Sequence, residues 1–590
     1  MPHRIPSAER ACSKSRLLDK LDQHWVQFAD KTAFRFLAYN GEEAETLSYQ
    51  SLSQRVFALA HALVEDGRRG KPVILLFPDG LDFVVGILAT LYAGAIAVPL
   101  PRPHDRAAAQ RIAACASNCE ARVILTSHNA IPVLRAGLVQ AGLEPSFGDG
   151  FRWMSEQDAA GYPTAWPPAI DLSDDTVGLL QYTSGSTGEP KGVVITHGNL
   201  AANGKVIQAA FQHDSSLVGV GWLPLSHDMG LMGHVFQPLL VGGESNLMSP
   251  LTLIRNPRRW LEAISKYRAR TSGGPCFAFE LACRRISEQD LQGLDLRCWR
   301  LAYCGAEPIR ADSLERFAAQ FAAAGFSAQA LYPCYGLAES TLFVTGVAYQ
   351  GGITAEQICG DALTESVIKR TPNEERTRTV VSCGLPAADH QVAIVHPERR
   401  TRCEADELGE IWVRGPSVAS GYWNRTEESA ATFQATLADD PEQTRYLRTG
   451  DLGYRSAQGV FVAGRLKDIL IIHGKNRHAE DIEAAARMAD ASLFARRSAA
   501  FSTWLSGAEA AVLVQEVSGP LAEETSRLLA RQIQASLLKL HGFVADEILF
   551  VPSGAIPRTT SGKVRRRDCR RLYERRELPV LSNVRASAST

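Results

Sequence analysis

The stretch QYTSGSTGEPKG, Gln181 to Gly192, gathers groups suited to holding phosphate. Gly185 and Gly188 let backbone N–H groups approach an anion. The hydroxyls of Thr183, Ser184, Ser186 and Thr187 can donate hydrogen bonds, and Lys191 can neutralise charge. The order is not that of a Walker A loop, because Pro190 precedes Lys191 and Gly192 follows it. A flexible Gly-Ser linker does not carry so ordered a string. The twelve cysteines are scattered, with no CxxC pair, and point to reduced core thiols and a cytoplasmic protein, not to a metal site or a disulfide frame.

The loop needs a scaffold, and the surrounding sequence supplies one. It lies between a strand-like run, GLLQY, and a helix-like run, HGNLAANGKVIQAA. Across the first three quarters of the chain, short apolar runs (PVILLF, AIAVPL, RVILTS, LVGVGWLP, LRCWRLAYCG) alternate with helix-length segments. This is an α/β pattern with buried sheets. The uncharged run Phe83 to Pro101 approaches the length of a membrane span, roughly 18–20 residues. It reads better as a helix over Gly80–Tyr92, a cap at Gly94 and a second buried strand, AIAVPL. The 590 residues allow more than one domain. With 63 basic against 64 acidic residues, no global field draws the chain to nucleic acid or anionic lipid. The texture changes after RTGDLGY and GRLKD, where a boundary near Lys467 divides residues 1–466 from 467–590. Beyond it AAVLVQEV reads as a strand and LAEETSRLLARQIQASLLKLHG as an amphipathic helix.

The opening string is similar to the signature of the adenylate-forming superfamily, which includes acyl-CoA synthetases, luciferases and peptide-synthetase adenylation domains. Further motifs follow in order. YCGAEPI (Tyr303–Ile309), with Ala306 and Glu307, resembles the adenine-contacting segment. YPCYGLAES (Tyr332–Ser340) resembles the motif whose tyrosine, here Tyr335 before Gly336, packs on adenine, and whose glutamate, here Glu339, helps hold Mg²⁺. RTGDLGY resembles the ribose-binding motif, with Asp451. GRLKD resembles the hinge, with Arg465 beside the ribose or a phosphate and Lys467 as pivot. PRTTSGKVRR resembles the C-terminal catalytic-lysine motif, with Lys563. The chemistry suits these roles: a carboxylate accepts two bonds from a ribose diol, a hard oxygen suits Mg²⁺, and an ammonium can meet charge growing at an α-phosphate. The threonine usual before the glutamate is Ala338 here, so its hydroxyl is missing or is supplied by Ser340 or Thr341.

Within the superfamily, WLPLSHDMGLMGHVFQPLL, SGGPCFAFELACRR and YPCYGLAESTLFVTG resemble the fatty acyl-AMP ligases. The 41 residues between Ser340 and Ser382 exceed the matching stretch of plain acyl-CoA synthetases. They match the ligases' insertion, which either restrains the C-terminal domain and blocks coenzyme A or is a neutral loop expansion. His478 and Ala479 stand where the ligases show a tyrosine-proline pair. The resemblance implies stacked α/β subdomains, two sheets with helices and a β-barrel-like part, followed by a small mobile α+β C-terminal domain. It implies ATP and Mg²⁺ as cofactors, a medium- or long-chain fatty acid as substrate, and the phosphopantetheine thiol of a separate acyl carrier protein as acceptor. Lys191 would hold the leaving group. His227, Asp228, Met232 and Gly274 are candidates for the acyl tunnel, in segments whose glycines would leave room. Met229, Met232 and Phe279 fit equally as core, and His227 or Asp228 as helix caps. The basic run over Val551–Val580, nine Lys/Arg against three Asp/Glu, suits an acidic carrier or a plain solvated helix face. Three other readings stay open: an acyl-CoA synthetase using free coenzyme A, an adenylate-binding scaffold without activity, and an amino-acid-activating domain.

Overall fold

The computed structural model describes residues 15–103, 105–140, 151–165, 171–184, 189–359, 368, 370, 377–472, 475–494, 496–505, 508–558 and 562–585. Runs such as VIL at 123–125 have no polar face and form strands covered on both sides. They build a six-stranded sheet in the order Arg152–Met154, Val123–Leu125, Pro72–Leu75, Ile96–Pro99, Val177–Ser184 and Pro190–Thr196, parallel except for the last pair. A nine-stranded sheet has a parallel centre of six strands: Leu331–Gly336, Leu301–Cys304, Thr271–Gly274, Val218–Gly221, Glu244–Met248 and Thr32–Leu37. One core joins the two sheets, taking Phe34 and Leu247 from one and Val73 and Leu125 from the other.

The uncharged segment resolves as read from sequence. Helix Asp82–Tyr92 is buried on every side after its first residue, Gly94 turns the chain at φ 64°, and Ile96–Pro99 enters the six-stranded sheet. Among the described residues no helix is long and apolar enough to cross a membrane. A third, antiparallel sheet follows, built from Gln391–Val395, Gly409–Arg414, Arg445–Ser456, Ala435–Thr436 and Gly459–Arg465. The last quarter has its own core and a four-stranded sheet: Ser498–Leu505, Ala508–Val517, Glu547–Pro552 and Ser582–Arg585. Helices Ala479–Met488 and Glu523–His541 pack on that core.

The long stretch after Ser340 forms a hairpin of Ala355–Cys359 with Thr377–Val381. Ile368 is buried against Val380, Tyr454 and Phe461. Arg370 reaches both oxygens of Asp406 at 2.7 and 2.5 Å and Glu356 at 2.9 Å. The inserted chain is thus fixed to the strand pair that leads into GRLKD. Residues 360–367, 369 and 371–376 of this stretch lie outside the described residues.

Candidate active site

The two strands that flank the phosphate-type loop pair with each other. Strands Val177–Ser184 and Pro190–Thr196 pair antiparallel, with Thr183 opposite Lys191 and Ser184 opposite Pro190. Sequence reading took the chain from strand to helix and missed the second strand, because it opens on proline. An edge strand tolerates Pro at its first residue. Helix His197–Phe211 follows it, started by a reciprocal cap between Thr196 and Asn199. Thr183 is half-buried. Gly185, Ser186, Thr187 and Gly188 lie outside the described residues.

Lys191 is buried, ion-paired to Glu428, and its ammonium stands 5.1 Å from the centre of the Tyr422 ring. The Tyr422 hydroxyl donates to Glu339 Oε1 at 2.9 Å. The backbone of 419–423 stitches these groups together: Ala419 N–H to the Glu339 carbonyl, Ser420 N–H to the Val194 carbonyl, Val194 N–H to the Gly421 carbonyl, and Trp423 N–H to the Gly192 carbonyl. Burial pushes the Glu339 carboxyl above its ordinary pKa. Among the described residues no group of three His, Cys, Asp or Glu could hold a metal alone. Mg²⁺ ordinarily takes one or two carboxylates with phosphate oxygens and waters, so the one half-buried carboxylate of Glu339 fits it.

A second corner assembles on the third sheet. Asp451 and Arg465 are register partners on antiparallel strands. The buried Asp451 carboxylate accepts Arg465 Nε at 2.9 Å and the Tyr335 hydroxyl at 2.7 Å. Asp451 raises the Arg465 pKa. Tyr335 is the last residue but one of the strand Leu331–Gly336, where a side chain at Gly336 would collide with the Leu342 carbonyl. Lys563 comes from the far end of the chain to the same place. Burial, then the Arg465 guanidinium, push its pKa below that of an ordinary lysine, against the pull of Asp228, Asp451 and Glu307. Glu307 accepts the Phe277 N–H at 2.8 Å and is raised by burial. Ala306 beside it is left-handed, φ 67°. Lys467 lies within the field of Lys191 and Glu428.

The acyl-tunnel candidates sit at a helix start, in the core and on a strand. His227 caps the helix Asp228–Leu231 and sits 2.6 Å from Asp228, which accepts the Met229 N–H at 2.7 Å. The carboxyl of Asp228 is below its ordinary value, with His227 and Lys563 both lowering it against burial. Met232 and Phe279 are fully buried; Phe279 packs among Trp260, Trp299 and Phe317. The glycines that would open a tunnel are mostly spent on contact. A side chain at Gly274 would enter the Trp222 ring, at Gly230 the Pro224 carbonyl, and at Gly273 the Tyr303 carbonyl. Only at Gly233, within the π-helical turn Met232–Phe236, would a Cβ of this segment meet nothing within 4 Å. The hydroxyls proposed to replace the missing threonine have protein partners: Thr341 donates to the Ser417 carbonyl at 2.7 Å, and Ser340 lies 3.4 Å from the Ser417 hydroxyl. Sequence reading also missed Tyr422, Arg425 and Glu428, whose residue types carry no signal apart from the partners they meet.

The fold and this convergence are those of an ATP-dependent, adenylate-forming ligase, and the chain belongs to the AMP-binding enzyme family, whose model matches residues 21–423. Residues 467–583 match the AMP domain described as Disco-interacting protein 2-like. A medium-chain-fatty-acid–[acyl-carrier-protein] ligase of Moorena producens is 36% identical over 94% of both chains. One of Teredinibacter turnerae is 35% identical over 93% of this chain and 92% of its own. Among solved structures, the fatty acyl-adenylate ligase from L. pneumophila, in complex with acyl adenylate and pyrophosphate, superposes with TM-score 0.72, 32% identity and 98% coverage of both chains. The branch is that of the fatty acyl-AMP ligases.

Proposed function

We propose that the protein joins a medium- or long-chain fatty acid to AMP and passes the acyl group to the phosphopantetheine thiol of a separate acyl carrier protein. One observation carries this reading: Lys191, Glu339, Asp451, Arg465 and Lys563, drawn from five separate motifs, converge on one site. Asp451 and Arg465 take the ribose end of ATP. The loop Thr183–Lys191 takes the β- and γ-phosphates. Glu339 would hold Mg²⁺, which when bound supplies charge against the phosphate oxygens.

The fatty carboxylate attacks the α-phosphorus, an acyl–phosphate bond forms, and pyrophosphate leaves. Lys563 stands against the charge that grows there. Positioning and electrostatics carry the step, and no protein nucleophile is needed. In the second step the carrier thiol attacks the acyl carbonyl, loses its proton, and AMP leaves. Residues 467–590 then act as a domain that turns about Lys467 and withdraws Lys563. The pairing of Asp468 with Arg566 supports that reading, since it ties the residue after the pivot to the segment after the lysine. A cytoplasmic location belongs to the same proposal and accords with ten free cysteines among the described residues.

The test is mass spectrometry of products from mixed fatty acids, ATP and Mg²⁺, with carrier protein or with coenzyme A. Acyl-AMP and acyl-carrier are expected. Robust acyl-CoA would favour the synthetase reading, and activation of amino acids alone would sink both.

A further inference from the structure

One contact in the site opposes the charge the site is read as holding. Lys191 is buried, and the group it meets is a carboxylate, Glu428. Glu428 stands in the first turn of helix Thr426–Phe433, where the helix dipole favours a negative charge. Its neighbour Arg425 lies 3.5 Å from the other Glu428 oxygen and donates to Glu189, two residues before Lys191, at 2.7 Å. Tyr422 fixes the lysine from the side with its ring and holds Glu339 with its hydroxyl. The ammonium is therefore placed by two groups, and one of them cancels its charge.

We propose that Glu428 is a positioning residue that sets how tightly Lys191 holds the pyrophosphate leaving group. The inference rests on the reading that Lys191 faces the phosphates. A carboxylate in contact with the lysine lies a few ångströms from any phosphate oxygen the lysine binds. It weakens the hold on a highly charged anion and so lets pyrophosphate depart after the chemical step. Arg425 moderates it, being shared between Glu428 and Glu189. A purely structural ion pair predicts the reverse: without Glu428 the lysine would lose its place, and anions would bind more weakly.

The experiment is calorimetric titration of the full-length protein with inorganic pyrophosphate, alongside pyrophosphate inhibition of acyl-AMP formation. Glu428→Gln is expected to bind pyrophosphate about tenfold more tightly, as removal of one unit charge near a bound anion at intermediate dielectric requires. Its KM for ATP falls, and kcat falls as product lingers. Glu428→Asp keeps the charge and is expected to restore wild-type affinity. Arg425→Gln leaves Glu428 less screened and is expected to weaken pyrophosphate binding several-fold, a change of opposite sign that keeps the idea testable if Glu428→Gln folds poorly. Unchanged or weaker pyrophosphate binding by a folded Glu428→Gln overturns the proposal, as does tighter binding by Arg425→Gln. A wild-type protein that binds neither ATP nor pyrophosphate refutes the reading of the site itself, and this inference falls with it.

Discussion

Arg566 offers the sharpest test of how the C-terminal part holds its lysine. It lies three residues after Lys563 and begins the helix Arg566–Glu574. Its side chain is 14% exposed, and Nε and Nη2 meet the two oxygens of Glu483 at 2.7 and 2.9 Å. Nη1 reaches Asp468, and Glu480 lies 3.6 Å away. Glu483 is 3% exposed and also accepts the Ala500 N–H at 3.0 Å. Arg566→Met would leave that carboxylate buried without its cation. Breaking a buried pair from one side costs about 3–5 kcal/mol, whereas replacing both partners with apolar groups is often close to neutral.

Hydrogen exchange of the full-length protein reads this locally. Amides of Ser498–Leu505 and Ala508–Val517, the strands nearest Glu483, are expected to lose about 100-fold in protection in Arg566→Met, the equivalent of about 3 kcal/mol. Acyl-AMP formation falls with it, because the lysine's segment loses its anchor. Glu483→Leu alone leaves Arg566 with Asp468 and Glu480 and costs less. The double variant is expected to be more stable than the sum of the two single losses, by about 2 kcal/mol or more. A loss of less than tenfold in the single variant, or strict additivity in the double, would refute the reasoning.

Lys563→Ala is expected to lower acyl-AMP formation by about 10²–10³, as removal of a charge-stabilising group does elsewhere. Because burial depresses the Lys563 pKa, the wild-type rate should begin to fall with rising pH below the ordinary lysine range of about 10.4, and Lys563→Arg should move that limb upward; a flat profile to pH 10 argues against the role. Asp451→Asn forfeits charge-assisted bonds worth about 1.5–3 kcal/mol, so KM for ATP should rise about 10–100-fold in steady-state assays. Burial depresses His197 and His234 to about 4 and His213 to about 3. Each is neutral in the fold and protonates first in the unfolded chain, so each gives stability that is complete above about pH 6.5 and is lost as pH falls toward 4. The loss is roughly 3 kcal/mol per residue, and Tm measured across that range should drop steeply. Ile368→Asp expels the inserted segment from the Tyr454–Phe461 pocket. If the insertion excludes coenzyme A, acyl-CoA formation should rise at least about tenfold, about 1.4 kcal/mol in barrier, with acyl-AMP formation preserved; no rise marks the loop as neutral.

The sequence made legible what is local. Buried strands betray themselves by apolar runs, and the motifs around Lys191, Tyr335, Glu339, Asp451 and Lys563 each hold a short string whose chemistry is self-contained. The pairings were not legible. Lys191 and Glu428 are 237 residues apart, and nothing in TEES distinguishes Glu428 from Glu427 beside it. The second strand of the loop hairpin was hidden by its opening proline. The glycines of SHDMGLMGHVF and SGGPCFAFE suggested empty space, yet most of them allow close packing against Trp222, Pro224 and Tyr303. A glycine leaves room, and only the neighbours decide whether ligand or protein fills it.

The same logic explains why the site carries so many carboxylates. A lone buried ammonium costs several kcal/mol, so a chain that buries Lys191 must supply counter-charge in order to fold. Glu428 answers Lys191, Asp451 answers Arg465, and Asp228, Asp451 and Glu307 together bear on Lys563. Three of these carboxylates also accept neutral donors, Tyr335 at Asp451, the Phe277 N–H at Glu307 and the Met229 N–H at Asp228, which fix their directions. The cations are thereby held in place with much of their field cancelled. A site of bare cations would bind nucleotide and pyrophosphate more tightly but release product slowly. The carboxylates that let this protein fold around its cations are also the groups that would limit its grip on the leaving group.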